Sequence, residues 1–307
     1  MGMDQSVIEV VDFTKKYQDF VAVDQVTFSV QRGEIFGLLG PNGAGKTSTL
    51  ECMEGLRKPD GGSIQVAGLI PTSEFHKLKN TIGVQLQSSS LPESITPLEA
   101  VRLFSAYHKV EPQIKLLDRL GLEEKKNAQF FELSTGQQRK LALALAIMHR
   151  PQVLFLDEPT AGLDVSTRVL LHQIIEELQE NGTTIILATH DMAEAEQLST
   201  RVAILLNGKL VKIGSPLEIT AAGAGTTKIS VRTRSSSLPL DVDRFPAVSH
   251  ALKQEEYQIY FSTDIGPTVS ALIEYLDRSD DTLLDLRIER PSLEDRFLEI
   301  TNAGEGK

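Results

Sequence analysis

The chain is 307 residues long, 41% hydrophobic and 24% charged, the balance of a globular protein and not of a disordered one; its length suits about two domains at roughly 150 residues each. With 31 Lys and Arg against 42 Asp and Glu the net charge is −11, which argues against general nucleic-acid affinity, since that needs basic surface to displace counterions. The densest apolar run, Leu141–Met148, ends at His149-Arg150, well short of the about 20 residues of a membrane-spanning helix. The amino terminus, MGMDQSVIEV, has no basic stretch leading into an apolar one, so no secretory signal is expected. The single cysteine, Cys52, can form neither an internal disulfide nor a multi-cysteine metal site. These features predict a soluble, cytosolic chain.

Ile8-Glu9-Val10 and the alternating Val26-Thr27-Phe28-Ser29-Val30 read as strands. Gln31–Glu34 turns into Ile35-Phe36-Gly37-Leu38-Leu39, a short apolar run of buried-strand type. A glycine-rich loop and a helix from Lys46 follow. From Pro92 to Ala128 the spacing of Leu98, Val101, Phe104 and Tyr107, and of Leu116, Leu117 and Leu120, predicts helices. Val153–Leu156 and Thr183–Ala188 read as further buried strands, the second after a helix ending near Asn181-Gly182. Strands alternating with helices predict an α/β fold with a mostly parallel sheet. The small, uncharged stretch Ala221–Thr227 reads as a linker. Beyond it Ile229/Val231, Tyr257/Ile259/Phe261 and Leu284/Leu286/Ile288 alternate as half-buried strands, with helices at Val269–Leu276 and Ser292–Ile300. The expected organisation is a domain at 1–220 with a helical part at about 90–150, a linker at 221–227, a small α+β domain at 228–303, and a tail at 304–307.

Gly40-Pro41-Asn42-Gly43-Ala44-Gly45-Lys46-Thr47 fits the phosphate-loop pattern GxxxxGK[ST] between a strand and a helix. Glycines let successive N–H groups curl around phosphate oxygens, and the helix N-terminus adds positive potential. Lys46 is expected to bridge the β- and γ-phosphates and Thr47 to ligate Mg²⁺. Val153–Leu156 then delivers Asp157 and Glu158 at a strand's C-terminal end, where open α/β sheets bind ligands. Asp157 is expected to hold the Mg²⁺ and Glu158 to polarise the attacking water. Taken singly, each motif also reads as a glycine turn or a polar strand exit; their order in one chain weakens both alternatives. Leu133-Ser134-Thr135-Gly136-Gln137 supplies a second anion-binding helix N-terminus, with Ser134 as cap.

On these residues the chain resembles an ATP-binding cassette ATPase, a phosphate-loop NTPase cassette; LSTGQ departs from the family's commonest LSGGQ only at Thr135. The resemblance implies ATP binding by Tyr17 and by Gly40, Pro41, Asn42, Gly43, Ala44, Gly45, Lys46, Thr47 and Ser48, with Tyr17 stacking on adenine or, alternatively, being an exposed strand tyrosine. It implies Mg²⁺ at Thr47, Gln87 and Asp157, and hydrolysis by Glu158, His190, Lys46 and Gln87. Gln85 competes for the place of Gln87, which is favoured because it precedes the polar loop Ser88-Ser89-Ser90. Ala161-Gly162-Leu163-Asp164 resembles the loop that crosses between cassettes. Ser134, Thr135, Gly136 and Gln137 would face the phosphate loop of a second subunit. With one phosphate loop and one signature, the chain is expected to homodimerise or pair with another cassette.

The ending Pro291-Ser292-Leu293-Glu294-Asp295-Arg296-Phe297-Leu298-Glu299-Ile300-Thr301 resembles the accessory domain of daunorubicin-resistance-type exporter cassettes, and reads equally as an amphipathic helix packing Leu293, Phe297 and Ile300. The implied partner is a separate integral membrane permease of the two-component exporter type, with no nucleic acid, and the implied place is the inner face of the membrane. A cassette acting on ribosomes or DNA is the alternative; relatives of that kind usually carry two cassettes, or a coiled-coil or zinc insertion. The permease contact is expected from Gln87 to about Tyr107, with Leu91, Phe104 or Tyr107 as anchors, although core packing is the favoured fate of Phe104 and Tyr107. Lys15-Lys16 and Lys125-Lys126 read as solvated charge, and Cys52 as a small buried filler.

Overall fold

The computed structural model describes residues 6–87, 91–221 and 226–305. The loop Ser88-Ser89-Ser90 and most of the expected linker, 222–225, lie outside the described residues. The chain divides into two units, Met1–Pro216 and Leu217–Lys307.

The first unit opens with β1 (Ser6–Tyr17), β2 (Phe20–Gln31), β3 (Ile35–Leu39), α1 (Lys46–Met53), β4 (Gly61–Val66), α2 (Phe75–Leu78) and β5 (Ile82–Gln85). Then come α3 (Pro97–His108), α4 (Lys115–Arg119), α5 (Thr135–Ile147), β6 (Val153–Asp157), α6 (Val165–Glu180), β7 (Thr184–Thr189), α7 (Met192–Leu198), β8 (Arg201–Leu206) and β9 (Lys209–Gly214). The strands form a six-stranded sheet of order β5-β6-β7-β3-β8-β9, parallel except for the β8–β9 pair. β1 and β2 do not join it. With β4 they make a separate antiparallel sheet of order β2-β1-β4, which periodicity alone did not separate from the parallel one.

Every residue of β3, β6 and β7 is buried, as strands covered on both faces must be. Side chains alternate between two cores, because successive residues of a strand point to opposite faces. Phe36, Leu38, Val153, Phe155, Ile186 and Ala188 join the core shared with β1, β2 and α1. Ile35, Leu154, Leu156, Ile185 and Leu187 join the core shared with α3, α5 and α6. Local signals set the helix boundaries. α3 starts at the Thr96–Glu99 capping box with Pro97 in its first turn. Within it Tyr107 is exposed and Phe104 only partly buried, so the expected core packing fails for Tyr107. Lys15 is also less solvated than expected: its ammonium sits 2.8 Å from Asp60. Cys52 is fully buried in α1, and burial, ahead of its charged neighbours, pushes the thiol pKa up to about 11.

α8 (Pro216–Ala221) covers the unit boundary, so that Leu217–Ala221 falls in the second unit. That unit continues with β10 (Thr227–Thr233), β11 (Val248–Gln254), β12 (Tyr257–Ser262), α9 (Ile265–Arg278), β13 (Leu283–Glu289) and α10 (Leu293–Glu305). Its antiparallel sheet has the order β11-β12-β10-β13. Ile229, Val231 and Tyr260 pack there against Leu272 and Leu276 of α9. β11 has no clean period-two pattern in the sequence, because its register slips between Val248 and His250. Among the described residues no helix is long and apolar enough to cross a membrane.

Phe155 is fully buried in the interior strand β6, so Phe155→Ala should lower the unfolding free energy by about 3–5 kcal/mol. Urea titration followed by circular dichroism measures this.

Candidate functional site

The parallel sheet brings the chemistry to one edge. Leu39 of β3 lies opposite Thr189 of β7, Ala188 opposite Asp157 of β6, and Leu156 opposite Gln85 of β5. The segments that follow these four strands therefore leave the sheet side by side, at the carboxyl ends where such sheets bind ligands. They carry the phosphate loop, Glu158, His190 and Gln87. A cavity at this edge is lined by Tyr17, Lys46, Thr47, Gln87, Asp157 and Glu158, among others.

The loop geometry depends on Gly45, which caps α1 at φ 101°, a region side chains rarely enter. A Cβ there would lie 2.6 Å from the carbonyl oxygen of Ala22. The first N–H groups of α1 have no intrahelical acceptor and, with the helix dipole, favour an anion. Lys46 is 6% exposed. Its Nζ donates to the carbonyls of Gly40 at 2.7 Å and Pro41 at 3.2 Å and lies 4.0 Å from Glu158. Burial lowers its pKa, while Glu158 and Asp157 oppose that shift.

Thr47 Oγ1 donates to Asp157 Oδ2 at 3.2 Å. The other oxygen, Oδ1, is buried with no hydrogen-bond partner among the described residues. Burial raises the Asp157 pKa, with the Thr47 hydrogen bond pulling the other way. A hydroxyl beside an orphaned carboxylate oxygen is the hard-oxygen set that suits Mg²⁺, so the residues present fit that ion.

Glu158 is 5% exposed and has a left-handed backbone, φ 51°, costing roughly 1–2 kcal/mol for a residue with a side chain. Its N–H donates to Ala188 at 2.8 Å, and its carboxylate accepts from His190 Nδ1 at 2.7 Å. With Glu158 ionised, Nδ1 carries the proton. The segment bearing His190 is fixed from below: Asp191 caps α7, and buried Glu194 accepts from Thr160 at 2.5 Å.

Gln87 lines the cavity; Gln85 is 1% exposed within β5 and is not part of that lining. Tyr17 also lines it, with its hydroxyl 3.2 Å from Ser48 Oγ and cations of Lys15 and Arg57 each 5.3 Å from its ring. The signature residues stand apart from this cavity. Ser134 caps α5 in a reciprocal box with Gln137, accepting from its N–H at 3.3 Å and donating its own N–H to the Gln137 side chain at 3.0 Å. Ser134 and Thr135 are exposed. Asp164 caps α6, its carboxyl held below the usual range by hydrogen bonds from Ser166 and Thr167. The two caps are neighbours: a Cβ on Gly136 would be 3.7 Å from Thr167.

Two contributors were not singled out in the sequence. Phe20, at the hairpin tip beside Tyr17, lines the same cavity. Arg139 donates to the carbonyl of Leu86 at 3.2 Å; burial lowers its pKa, while the carboxylates of Asp157 and Glu158 oppose that shift. Its place in the first turns after the signature was the available signal.

A strand, a phosphate loop, a helix bearing Lys-Thr and two carboxylates at the end of β6, one strand removed in the same sheet, define a phosphate-loop nucleotide-binding cassette. Residues 23–161 match the ABC transporter family model. The chain is 38% identical over 226 residues to the probable multidrug ABC transporter ATP-binding protein YbhF of Escherichia coli, a match covering 72% of this chain and 39% of that protein. It thus spans well under half the length of that relative. It is 33% identical over 304 residues to the Nod factor export ATP-binding protein I of Ralstonia nicotianae, covering 96% of this chain and 94% of the relative. Among solved structures, the ATP-binding subunit of an ABC transporter superposes with a TM-score of 0.66 at 28% identity, over 71% of this chain and 93% of that one. A dimeric post-hydrolysis state of an ATP-binding cassette with ADP and Pi superposes at 0.63 and 25% identity, over 68% and 98%. The chain belongs to the ABC transporter family.

Because burial raises the Asp157 pKa, its carboxylate opposes folding of the nucleotide-free chain. That penalty is absent below the unfolded value of 3.8, grows as pH rises from there to the raised folded value, and is fully present above it. Asp157→Asn should therefore raise Tm at alkaline pH, with the gain vanishing on acidification; thermal scans across pH test the sign.

Proposed function

We propose that the chain binds ATP with Mg²⁺ and hydrolyses it to ADP and phosphate, as the energising subunit of a separate membrane permease of exporter type. The observation that carries this reading is the Glu158 carboxylate, held between His190 and Lys46 at the end of β6. Lys46 and the N–H groups of α1 bind the phosphates and hold them in line. Glu158 accepts a proton from the attacking water, and His190 fixes the carboxylate's direction. Thr47 and Asp157, with Gln87 at the cavity edge, would hold Mg²⁺, which when bound would neutralise phosphate charge. Tyr17 offers its ring to the base.

The chain carries one phosphate loop and one signature cap, and Ser134 is exposed away from its own cavity. This supports a head-to-tail homodimer in which Ser134 to Gln137, with Asp164 beside them, meet the γ-phosphate bound by the other subunit. Hydrolysis removes that contact and reopens the dimer. The names of these relatives, multidrug transport and Nod factor export, favour an exporter over a cassette for ribosomes or DNA. On this reading the chain works in the cytoplasm against the inner membrane face, without nucleic acid. The second unit is read as an accessory domain. The permease contact is read near Gln87 to Tyr107, where Tyr107 is exposed and Leu91 partly buried.

Glu158→Gln keeps shape and removes the base. Its ATPase rate should fall by about 10²–10⁴-fold with ATP binding retained, and ATP–Mg²⁺ should shift it to a dimer on size exclusion. Hydrolysis at the parental rate would sink the assignment of Glu158.

A further inference from the structure

Beneath the nucleotide edge lies a buried polar cluster that takes no direct part in the chemistry described above. Thr160, His172 and Glu194 are 3%, 5% and 3% exposed. Glu194 Oε1 accepts from the Thr160 hydroxyl at 2.5 Å, and His172 Nε2 lies 3.4 Å from the same oxygen. The three residues come from three separate segments, so no local turn or cap brings them together. Taking such groups out of water is costly, and apolar side chains of similar volume would serve stability at least as well. Stability alone therefore does not account for the cluster.

Each member is attached to a part of the site. Thr160 is two residues beyond Glu158, in the strand exit where Glu158 holds its left-handed backbone, φ 51°. Glu194 lies in the first turn of α7, and its N–H donates to Asp191 Oδ1 at 3.0 Å. Asp191 directly follows His190 in the chain. His172 is about two turns along α6, the helix that Asp164 caps. One side chain, Glu194, thus meets the exit carrying Glu158, the turn carrying His190 and the helix behind Asp164. His190 has need of such a hold. Its side chain is 55% exposed, so packing does little to fix the imidazole, and its direction is inherited from the turn beneath it.

We propose that Glu194 is a positioning residue for ATP hydrolysis: by tying Thr160 to the first turn of α7, with His172 lodged against it, Glu194 sets the contact between Glu158 and His190, 2.7 Å long. The proposal rests on the hydrolysis reading above. Glu194 does not line the nucleotide cavity, so its contribution falls on turnover and not on nucleotide binding. The effect is large because a misplacement of about 1 Å between reacting groups can cost about a hundredfold in rate.

Steady-state ATPase assays on the full chain separate this role from a merely structural one. Thr160→Val keeps the shape and removes the hydroxyl, and Glu194→Ala removes the carboxyl. Each should lower kcat at least about tenfold, with KM and the affinity for a fluorescent ATP analogue changed by less than about twofold. Glu194→Gln keeps an oxygen for the Thr160 hydroxyl and should recover most of the parental kcat. In a His190→Ala background no contact is left to set, so Thr160→Val should cost less than about a further twofold. Thr160→Val carries the test even where Glu194→Ala does not fold. Parental kcat in Thr160→Val, a raised KM with kcat unchanged, no recovery in Glu194→Gln, or an equal fold-loss with and without His190 would each overturn the proposal. His190→Ala at the parental rate would remove His190 from hydrolysis, and this proposal with it. A slow His190→Ala beside a parental Thr160→Val overturns this proposal alone.

Discussion

Three charged groups buried at the carboxyl edge of the parallel sheet set the terms for the rest of the first unit. Lys46, Asp157 and Glu158 are each at most 6% exposed, and taking charges out of water is costly unless they are paired and hydrogen-bonded. Burial pushes Lys46 towards neutrality and Asp157 towards protonation, while their mutual attraction resists both shifts. The cluster is held because its framework is rigid. β6 has no exposed residue, and one core presses on each face of the sheet. Strongly perturbed groups in a cleft mark places where structure serves chemistry more than stability.

The same framework joins the nucleotide edge, with very little intervening chain, to an apolar groove lined by Leu56, Phe75, Leu86 and Tyr107 among others. α1 begins at Lys46 in one cavity and ends beside Glu54 in the other, a span of about 12 Å at helical rise. After β5, Leu86 lines the groove and the next residue, Gln87, lines the nucleotide cavity. Arg139, in the helix that Ser134 caps, donates to the carbonyl of that same Leu86. A displacement at either cavity therefore meets the other through covalent geometry and one helix, without a long relay of side chains.

How much of this could be read from the sequence follows from the kind of signal each part leaves. β3, β6 and β7 are uninterrupted apolar runs, and the phosphate loop and the Asp157-Glu158 pair have fixed spacing, so the parallel sheet and its loaded edge were legible. Ser134 was legible as a cap because capping chemistry is local. β9, largely exposed, and β11, with a register slip, leave weak patterns, and the separation of β1, β2 and β4 into their own sheet depends on long-range pairing. Tyr107 keeps helical spacing with buried neighbours yet is exposed, since it borders a groove instead of a core. Glu54, which is 2% exposed, and Arg139 gave no sign of their burial; their places come from packing between distant segments.

The isolation of Cys52 has a practical side. The only thiol in the chain is fully buried, and its pKa of about 11 keeps it almost entirely in the unreactive protonated form near neutral pH. The native protein is thus, in effect, already blank towards thiol-directed dyes and spin labels. A cysteine introduced at an exposed position such as Thr135 or Leu56 would be modified selectively with the natural background left intact. Intersubunit distances during turnover become measurable without first rebuilding the core around a replaced residue.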